Sequence, residues 1–339
     1  MKSRVTILDV AAEAGVSIAS VSAALNDRPG VSEQTRARIL AVAERTGWVP
    51  SLRGRGLSGK RAFAVGLVIE RSSRVIESDP FFAGFIAGVE VVLERRGYAL
   101  VLQMASTHRA AVDRYRQMAL DHRIDGAFLT DMAARDARVP LLEELRLPGV
   151  AVNSARDCGL PSVRPDHVAG LARLMEELIS LGHTRVAHVA GRRGLIHTRQ
   201  RIAVWRRALA AAGLRPGPLL YGDFSTESGG IAAQRLLEQG APRPTAVVCA
   251  SDLMAIGFIS RATRLGIEVP REMSVTGFDG IEVGGFVRPA LTTVSTAPRE
   301  LGEAAAKMLL DVIDGARPDD VEVSPTVPVF RESHAPPAR

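Results

Sequence analysis

The chain has 339 residues, 46% apolar and 24% charged, a composition ordinary for soluble globular domains and a length that allows two or three folding units. No apolar run approaches the ~18 residues of a membrane helix, the first residues lack the charged-apolar-small order of a signal peptide, and two cysteines, Cys158 and Cys249, cannot build a disulfide framework; the expected setting is the cytoplasm, without membrane or secretion. The formal net charge of +6 is concentrated, because residues 1–61 hold ten Lys or Arg against five Asp or Glu, and such a local excess favours a polyanion such as DNA through counterion release.

In chain order, Thr6 opens a helix signature. Its hydroxyl is a cap candidate, and Asp9 three residues on completes a capping box. Ile7, Val10, Ala11 and Ala14 follow the spacing of one buried face, and Gly15 is the residue a left-handed helix end wants. Ser17 starts a second short helix to about Leu25, burying Val21, Ala24 and Leu25. Residues 26–30 form a turn, and Ser32 caps a third helix to about Thr46 with Ile39, Leu40, Val42 and Ala43 inward. Two short helices joined by a glycine turn and closed by a third make a helix-turn-helix unit. The second helix then keeps Ile18, Ala19, Ser22 and Ala23 free for a groove; a plain helical bundle with a small-residue surface fits the same pattern. Thr6, Ser17, Ser22, Asn26, Ser32 and Thr35 sit at helix starts or turns, where hydroxyls and amides either bond phosphates or cap.

The run VTILDVAAEAGVSIASVSAALN at 5–26, with VSEQTR at 31–36 and GWVP at 47–50, resembles the head of the lactose-repressor (LacI) family. The likeness continues, more thinly, along almost the whole chain. It implies that Ile18, Ala19 and Ala23 lie where the family reads bases. The family often carries Arg or another polar residue at the position of Ala23, and this chain departs from that. A side chain without donors can touch a thymine methyl but cannot bond guanine or adenine. Fewer direct base bonds are therefore expected, with more reliance on DNA shape and on the hinge.

Residues 50–60 read PSLRGRGLSGK. Two glycines inside a would-be helix cost about 1 kcal/mol each relative to Ala, so the segment is expected to order only on a surface that stabilises it. By itself it reads as a flexible basic linker. By resemblance it is the family's hinge helix, which implies that Leu57 wedges between base pairs and that Arg53 and Arg55 neutralise phosphates. The GxGxxG string at 54–59 is not a dinucleotide fingerprint, because a helix precedes it and a strand follows, the reverse of the required order.

From residue 62 short apolar runs alternate with helical patterns. Strands are expected at 62–69, 98–104, 126–129, 150–153, 185–190, 246–250 and 274–277, with helices at 81–96, 110–122, 167–181, 198–212, 226–239 and 252–265. Such alternation implies α/β architecture with parallel sheets. IDGAFLT at 124–130 and PTAVVCASD at 244–252 look like one strand in each of two halves. The resemblance implies a two-lobed periplasmic-binding-protein-like core with chain crossings near 163–166, 294–298 and 325. The expected division is an all-α head at 1–48, a hinge at 49–61 and a core at 62–339, with one lobe at about 62–164 and 296–324 and the other at about 165–295 and 325–339.

Ligands of open parallel sheets bind beyond the C-terminal strand ends. Asn153, Ser251, Asp252 and Asp279 each follow an apolar run, Arg201 opens the helix containing Trp205, and Phe224, Phe81 and Phe82 lie in turns or at a helix start. Amide, carboxylate and guanidinium groups beside aromatic rings suit the hydroxyls and apolar face of a sugar, and equally a nucleoside. Phe81, Phe82 and Trp205 also read as core, and Asp252 and Asp279 as helix caps. Family resemblance favours Arg201 and Asp279 as ligand contacts. Asn153 stands where the family frequently has a carboxylate and Ser251 where it frequently has asparagine, which leaves the ligand's identity open.

No GxSxG elbow, GK[ST] loop or HExxH string occurs, and His183 and His188 have no metal-ligand neighbours, so neither cofactor nor metal is expected. The expected function is a repressor-type regulator: a homodimer without a tetramer-forming tail, gripping a pseudo-palindromic double-stranded DNA operator and answering to a small effector. The alternative is an enzyme acting on a small polar metabolite, fused to a DNA-binding head.

Overall fold

The computed structural model describes residues 5–25, 29–48, 61–71, 79–240 and 242–338. Asn26, Arg53, Arg55, Leu57 and residues 49–60 of the expected hinge lie outside them. Three helices come first: α1 (Ile7–Ala14), α2 (Ile18–Leu25) and α3 (Glu33–Thr46). They close on Val10, Ala11, Ala14, Val21, Ala24, Ile39, Val42 and Ala43. Leu40, expected on the inner face of α3, is 47% exposed. Adjacent helix positions point about 100° apart, and here Ile39 takes the inward direction.

Strand and helix then alternate. One series runs β1 (Ala64–Ile69), α4 (Pro80–Arg96), β2 (Ala99–Met104), α5 (His108–Leu120), β3 (Gly126–Leu129), α6 (Arg138–Glu144), β4 (Gly149–Val152) and β5 (Ser162–Pro165). The next runs α7 (His167–Ser180), β6 (Val186–Ala190), α8 (Ile196–Ala211), β7 (Leu219–Tyr221), α9 (Thr226–Glu238), β8 (Ala246–Cys249), α10 (Asp252–Arg264) and β9 (Ser274–Thr276). The chain ends with β10 (Thr293–Ser295), α11 (Pro298–Ile313), β11 (Val321–Val323) and β12 (Val327–Val329).

Two parallel sheets result, as the alternation predicts. The larger has the order β11-β5-β4-β3-β1-β2 and the smaller β7-β6-β8-β9, with a β10–β12 antiparallel ribbon beside β9. β1, β3, β4, β6 and β8 are buried at every residue, which is what strands covered on both faces require. The chain passes between the sheets three times, from β5 to α7, from β10 to α11 and from β11 to β12.

Each sheet is covered by a helix pair that glycine brings unusually close. α4 crosses α11 at Gly88 and Gly302, and a Cβ on either would run into the backbone of the facing helix, the carbonyl of Arg299 or of Phe85. α9 crosses α10 at Gly229 and Gly257, which meet the carbonyls of Met254 and Thr226 in the same way. No single helix among the described residues is long and apolar enough to cross a membrane.

Candidate nucleic-acid interface and ligand pocket

The head is set by its caps. Asp9 accepts from the Thr6 backbone N–H and hydroxyl, both at 2.7 Å. These bonds lower the Asp9 carboxyl below its ordinary value. Gly15 takes the left-handed conformation, φ 63°, and the chain bends by 101° between α1 and α2. That is the angle a helix-turn-helix needs to let one helix protrude. The Ser17 hydroxyl oxygen accepts from the Ser20 N–H at 3.1 Å and so begins α2. The Ser32 hydroxyl accepts from the Thr35 N–H at 3.3 Å and donates to the Thr35 hydroxyl at 2.9 Å. Thr6, Ser17, Ser32 and Thr35 thus have structural work at helix starts. On α2, Val21 and Ala24 face the core, Ile18 and Ala19 are exposed, and Ser22 and Ala23 are half-buried.

The pocket lies between the two sheets. Of the residues named from sequence, Phe81, Asn153, Arg201, Phe224, Ser251 and Asp279 line it, and so do Arg71, Asp79, Asp131, His197 and Leu253, which the sequence reading missed. Four pocket residues, Asp131 (φ 50°), Asn153 (φ 58°), Phe224 (φ 74°) and Asp279 (φ 127°), have positive φ without being glycine, out of seven such residues in the described chain. Each stands just beyond a strand end, and each carries backbone strain of about 1–3 kcal/mol, the kind that gathers at functional sites. Two larger hollows, of about 390 and 570 Å³, lie elsewhere; one is lined mainly by alanines and apolar residues of α7 and α8, and neither gathers the charged groups found here.

Arg201 is buried. Its Nη1 donates to the Ala250 carbonyl at 2.6 Å and its Cζ stands 3.7 Å from the Phe278 ring centre, while Nε has no protein partner. Burial pulls the Arg201 pKa down to about 10, against the pull of Asp279. Burial likewise holds the Asp279 carboxyl well above the usual range despite Arg201. Burial would raise Asp131 too, but the charge and hydrogen bonds of Arg71 overcome it and hold that carboxyl at about 2. His197 is pushed down to about 3, by burial first and then by Arg201, so its ring is neutral at physiological pH. The Asn153 Oδ1 and His197 Nδ1 are buried without a protein partner. A pocket with unpartnered donors and acceptors, a neutral imidazole and opposed charges is built for a polar ligand.

Two expected contacts are corrected. Phe82 is 2% exposed and packs in the core of the larger sheet with Phe85 and Val89, because the α4 turn that brings Phe81 to the pocket turns Phe82 inward. Asp252 is fully buried and points away from the pocket, accepting from the N–H groups of Gly280 and Ile281 and from the Thr293 hydroxyl. It shapes the loop bearing Asp279. Ser251 lines the pocket while its hydroxyl accepts from the Met254 N–H at 3.2 Å and caps α10. His183 and His188 are structural, bonding Thr245 and the Ala335 carbonyl, and the Val248 carbonyl, respectively. Among the described residues no group of three or more His, Cys, Asp or Glu side chains converges on a metal position.

Several bonds tie the two halves around the pocket. Arg192 donates to the Glu70 carboxylate at 2.8 Å and to its carbonyl at 2.6 Å, and the Ile196 N–H donates to the Met132 carbonyl at 2.9 Å. The loop carrying Asp131 is itself held by Arg138, which bonds Asp136 and the Thr130 carbonyl.

Comparison with known proteins agrees with this geometry. Residues 6–51 match the model for bacterial regulatory proteins of the lacI family, and residues 175–334 match a periplasmic binding protein-like domain. The HTH-type transcriptional regulator CelR of Thermobifida fusca is 33% identical over 330 residues, covering 94% of this chain and 95% of its own. The HTH-type transcriptional repressor CytR of Escherichia coli is 32% identical over 318 residues, covering 91% and 90%. Among solved structures, a CelR–cellobiose complex aligns over 97% of this chain and 100% of its own, at TM-score 0.73 and 30% identity. A Lac repressor dimer bound to operator and an anti-inducer aligns over 98% and 99%, at TM-score 0.84 and 26% identity. With helix-turn-helix head and two-sheet core both matched along nearly the full length, this chain belongs to the lacI family of bacterial regulatory proteins and is a DNA-binding transcription regulator, not an enzyme.

Proposed function

We propose that this regulator works in the cytoplasm as a repressor, gripping a pseudo-palindromic operator as a homodimer and answering to a small polyhydroxylated effector, a sugar, held between its lobes. The head comprises residues 1–48, the hinge 49–61 and the core 62–339, with lobes at about 62–164 with 296–324 and at about 165–295 with 325–339. The observation that carries the DNA reading is the outer face of α2, where Ile18 and Ala19 are exposed beyond a 101° bend while Val21 and Ala24 anchor the helix. Ile18, Ala19 and Ala23 meet base edges. Thr6, Ser17, Ser22, Asn26, Ser32 and Thr35 meet phosphates, Arg53 and Arg55 neutralise further phosphates, and Leu57 wedges a base step. Phe81, Asn153, Arg201, Phe224, Ser251 and Asp279 receive the effector, together with Asp131 and His197. The sugar assignment is supported by the mixture of aromatic faces and unpartnered polar atoms, and by the cellobiose bound to the similar CelR.

Selection of duplexes by the full-length chain, followed by anisotropy titrations, tests the DNA reading. A two-fold-symmetric site is expected, with affinity falling about 10³-fold or more between 50 and 200 mM salt if six or more phosphates are neutralised. Sugars including cellobiose, and nucleosides, are then added to the complex. A site without symmetry, or a salt-independent affinity, overturns the reading of the head; indifference to every sugar overturns the effector assignment.

A further inference from the structure

The pocket is filled largely by one of its own side chains. Arg71, two residues past the end of β1, places its Cζ 4.3 Å from the centre of the Phe224 ring and 5.7 Å from that of Phe82. Its Nε and Nη2 donate to the two Asp131 oxygens at 2.7 and 3.0 Å. Both side chains are buried, 6% and 8% exposed. The free space that remains is about 40 Å³, room for a few waters, where ligand sites offer several hundred Å³. Arg71 holds the position where the strand ends converge.

What Arg71 does there has a chemical counterpart. It offers two neighbouring donors to both oxygens of one carboxylate and lays a face against an aromatic ring. A pyranose offers the same pair of functions through adjacent hydroxyls and the C–H face of its ring. Asp131 follows β3 of the larger sheet and Phe224 follows β7 of the smaller, so whatever fills this position touches both lobes. We infer that Arg71 is a built-in surrogate ligand that holds the stacking and donor positions of the effector site, and that the effector binds only by displacing it. The class of the displacing ligand rests on the sugar reading above; the occupancy by Arg71 does not.

Specificity follows from the exchange. Once Arg71 leaves, a buried carboxylate with no donors is strongly unfavourable. A ligand that brings two adjacent hydroxyls to Asp131 satisfies it, and a deoxy analogue that brings one does not. The site thus selects against any compound unable to replace both guanidinium bonds. Because wild-type chains must first release Arg71, the apparent affinity for effector is reduced by the fraction already open.

The test uses methylguanidinium, which has the shape of the missing group, and the full-length chain. In Arg71→Ala, millimolar methylguanidinium should raise the melting temperature saturably. It should do nothing comparable in the wild type, whose site is filled, or in Arg71→Ala/Asp131→Asn, which lacks the carboxylate. A response equal in all three chains, or none in Arg71→Ala, overturns the proposal. Arg71→Ala leaves a buried charge and can fail to fold unaided; refolding from urea should then succeed with methylguanidinium and not with ammonium, and equal failure with both also overturns it. A sugar that binds the wild type should bind Arg71→Ala about tenfold more tightly or better. If no sugar binds either chain, the sugar assignment falls; a sugar that binds the wild type as tightly as Arg71→Ala overturns the displacement.

Discussion

Asp252 offers the sharpest separation between a charge and the bonds it makes. One oxygen accepts from the Gly280 and Ile281 N–H groups at 2.9 and 2.8 Å, and the other from the Thr293 hydroxyl at 2.5 Å. These bonds join the first residue of α10 to the loop of Asp279 and to β10. Asp252→Ala removes the acceptor from three enclosed donors. At about 1–3 kcal/mol for each donor left unsatisfied, with some relaxation toward water, the loss is about 3–6 kcal/mol, a large part of the ~5–15 kcal/mol that holds a typical domain. Asp252→Asn keeps an amide oxygen for both N–H groups, and the Thr293 hydroxyl turns to accept from the new NH₂. Its cost should stay below about 1 kcal/mol.

The pH dependence follows from the sign of the shift. Burial raises the Asp252 carboxyl above its ordinary value, and the bonds from Thr293, Ile281 and Gly280 only partly offset it. The folded chain therefore holds that proton more tightly than the unfolded chain. This contribution is fully present below the unfolded value near pH ~3.9 and is lost as pH rises through the folded one. Asn cannot ionise, so it should compare best with the wild type at neutral pH and lose ground in mild acid. Urea denaturation of the full-length wild type and both variants, followed by circular dichroism at several pH values, measures all three quantities. Ala and Asn variants within about 1 kcal/mol of each other at neutral pH would refute the hydrogen-bond argument.

Buried histidines should dominate acid unfolding: burial lowers His188 to about 4 and His197 to about 3, and puts His167 well below its ordinary value. Depressed folded values mean stability that is full above about pH 6.5 and lost on acidification from there, at about 1.4 kcal/mol per pH unit for each proton taken up. Near pH 5 these three sites give a slope of about 4 kcal/mol per unit, and His188→Gln should remove roughly a third of it; an unchanged slope in urea melts would count against the buried neutral ring. Ala23→Arg should create a requirement for guanine worth about 1–3 kcal/mol at one base pair in each half-site, read by duplex selection and sequencing; an unaltered preference would mean that α2 does not lie in the major groove. Gly257→Ala should cost about 3 kcal/mol or more in thermal melts, because its Cβ meets the Thr226 carbonyl. Gly230→Ala on the neighbouring helix, whose Cβ finds nothing nearer than 3.5 Å, should be neutral or gain up to about 1 kcal/mol; similar losses in both would remove the close-approach explanation.

The head was legible because its punctuation is local. Thr6 with Asp9, Gly15, Ser17, Ser32 and Gly47 each act on the backbone within a few residues, so the sequence states where the helices begin and end. Leu40 misleads because two adjacent apolar residues compete for one inward direction, and packing of α1 and α2 against α3 decides in favour of Ile39. The buried strands of the core were legible as apolar runs. The short β5, β7, β10, β11 and β12 were not, since three or four residues carry too little pattern. The first strand begins at Ala64 rather than two residues earlier because Phe63 adopts a left-handed φ of 52°.

The pocket shows why a search of strand ends finds part of a site and not the whole. Asn153 immediately follows β4, so end of strand and start of site coincide. After β3 the first polar residue is Thr130, which is buried beneath the loop at 2% exposure, and it is Asp131, with φ 50°, that enters the pocket. After β1 the corresponding residue is Arg71, one beyond Glu70, whose carboxylate turns to Arg192 of the opposite lobe. In both places the backbone sets which of two adjacent polar side chains faces inward, at Asp131 through its positive φ. Nothing in residue type records that choice, because it is made by neighbours distant in sequence: Phe224 across the cleft for Arg71, and Arg71 on the adjoining strand end for Asp131. The chemistry most particular to this chain therefore rests on contacts between segments over 50 residues apart, 60 between Arg71 and Asp131 and 152 between Arg71 and Asp223, and a reading confined to local pattern reaches it only after the sheets are assembled.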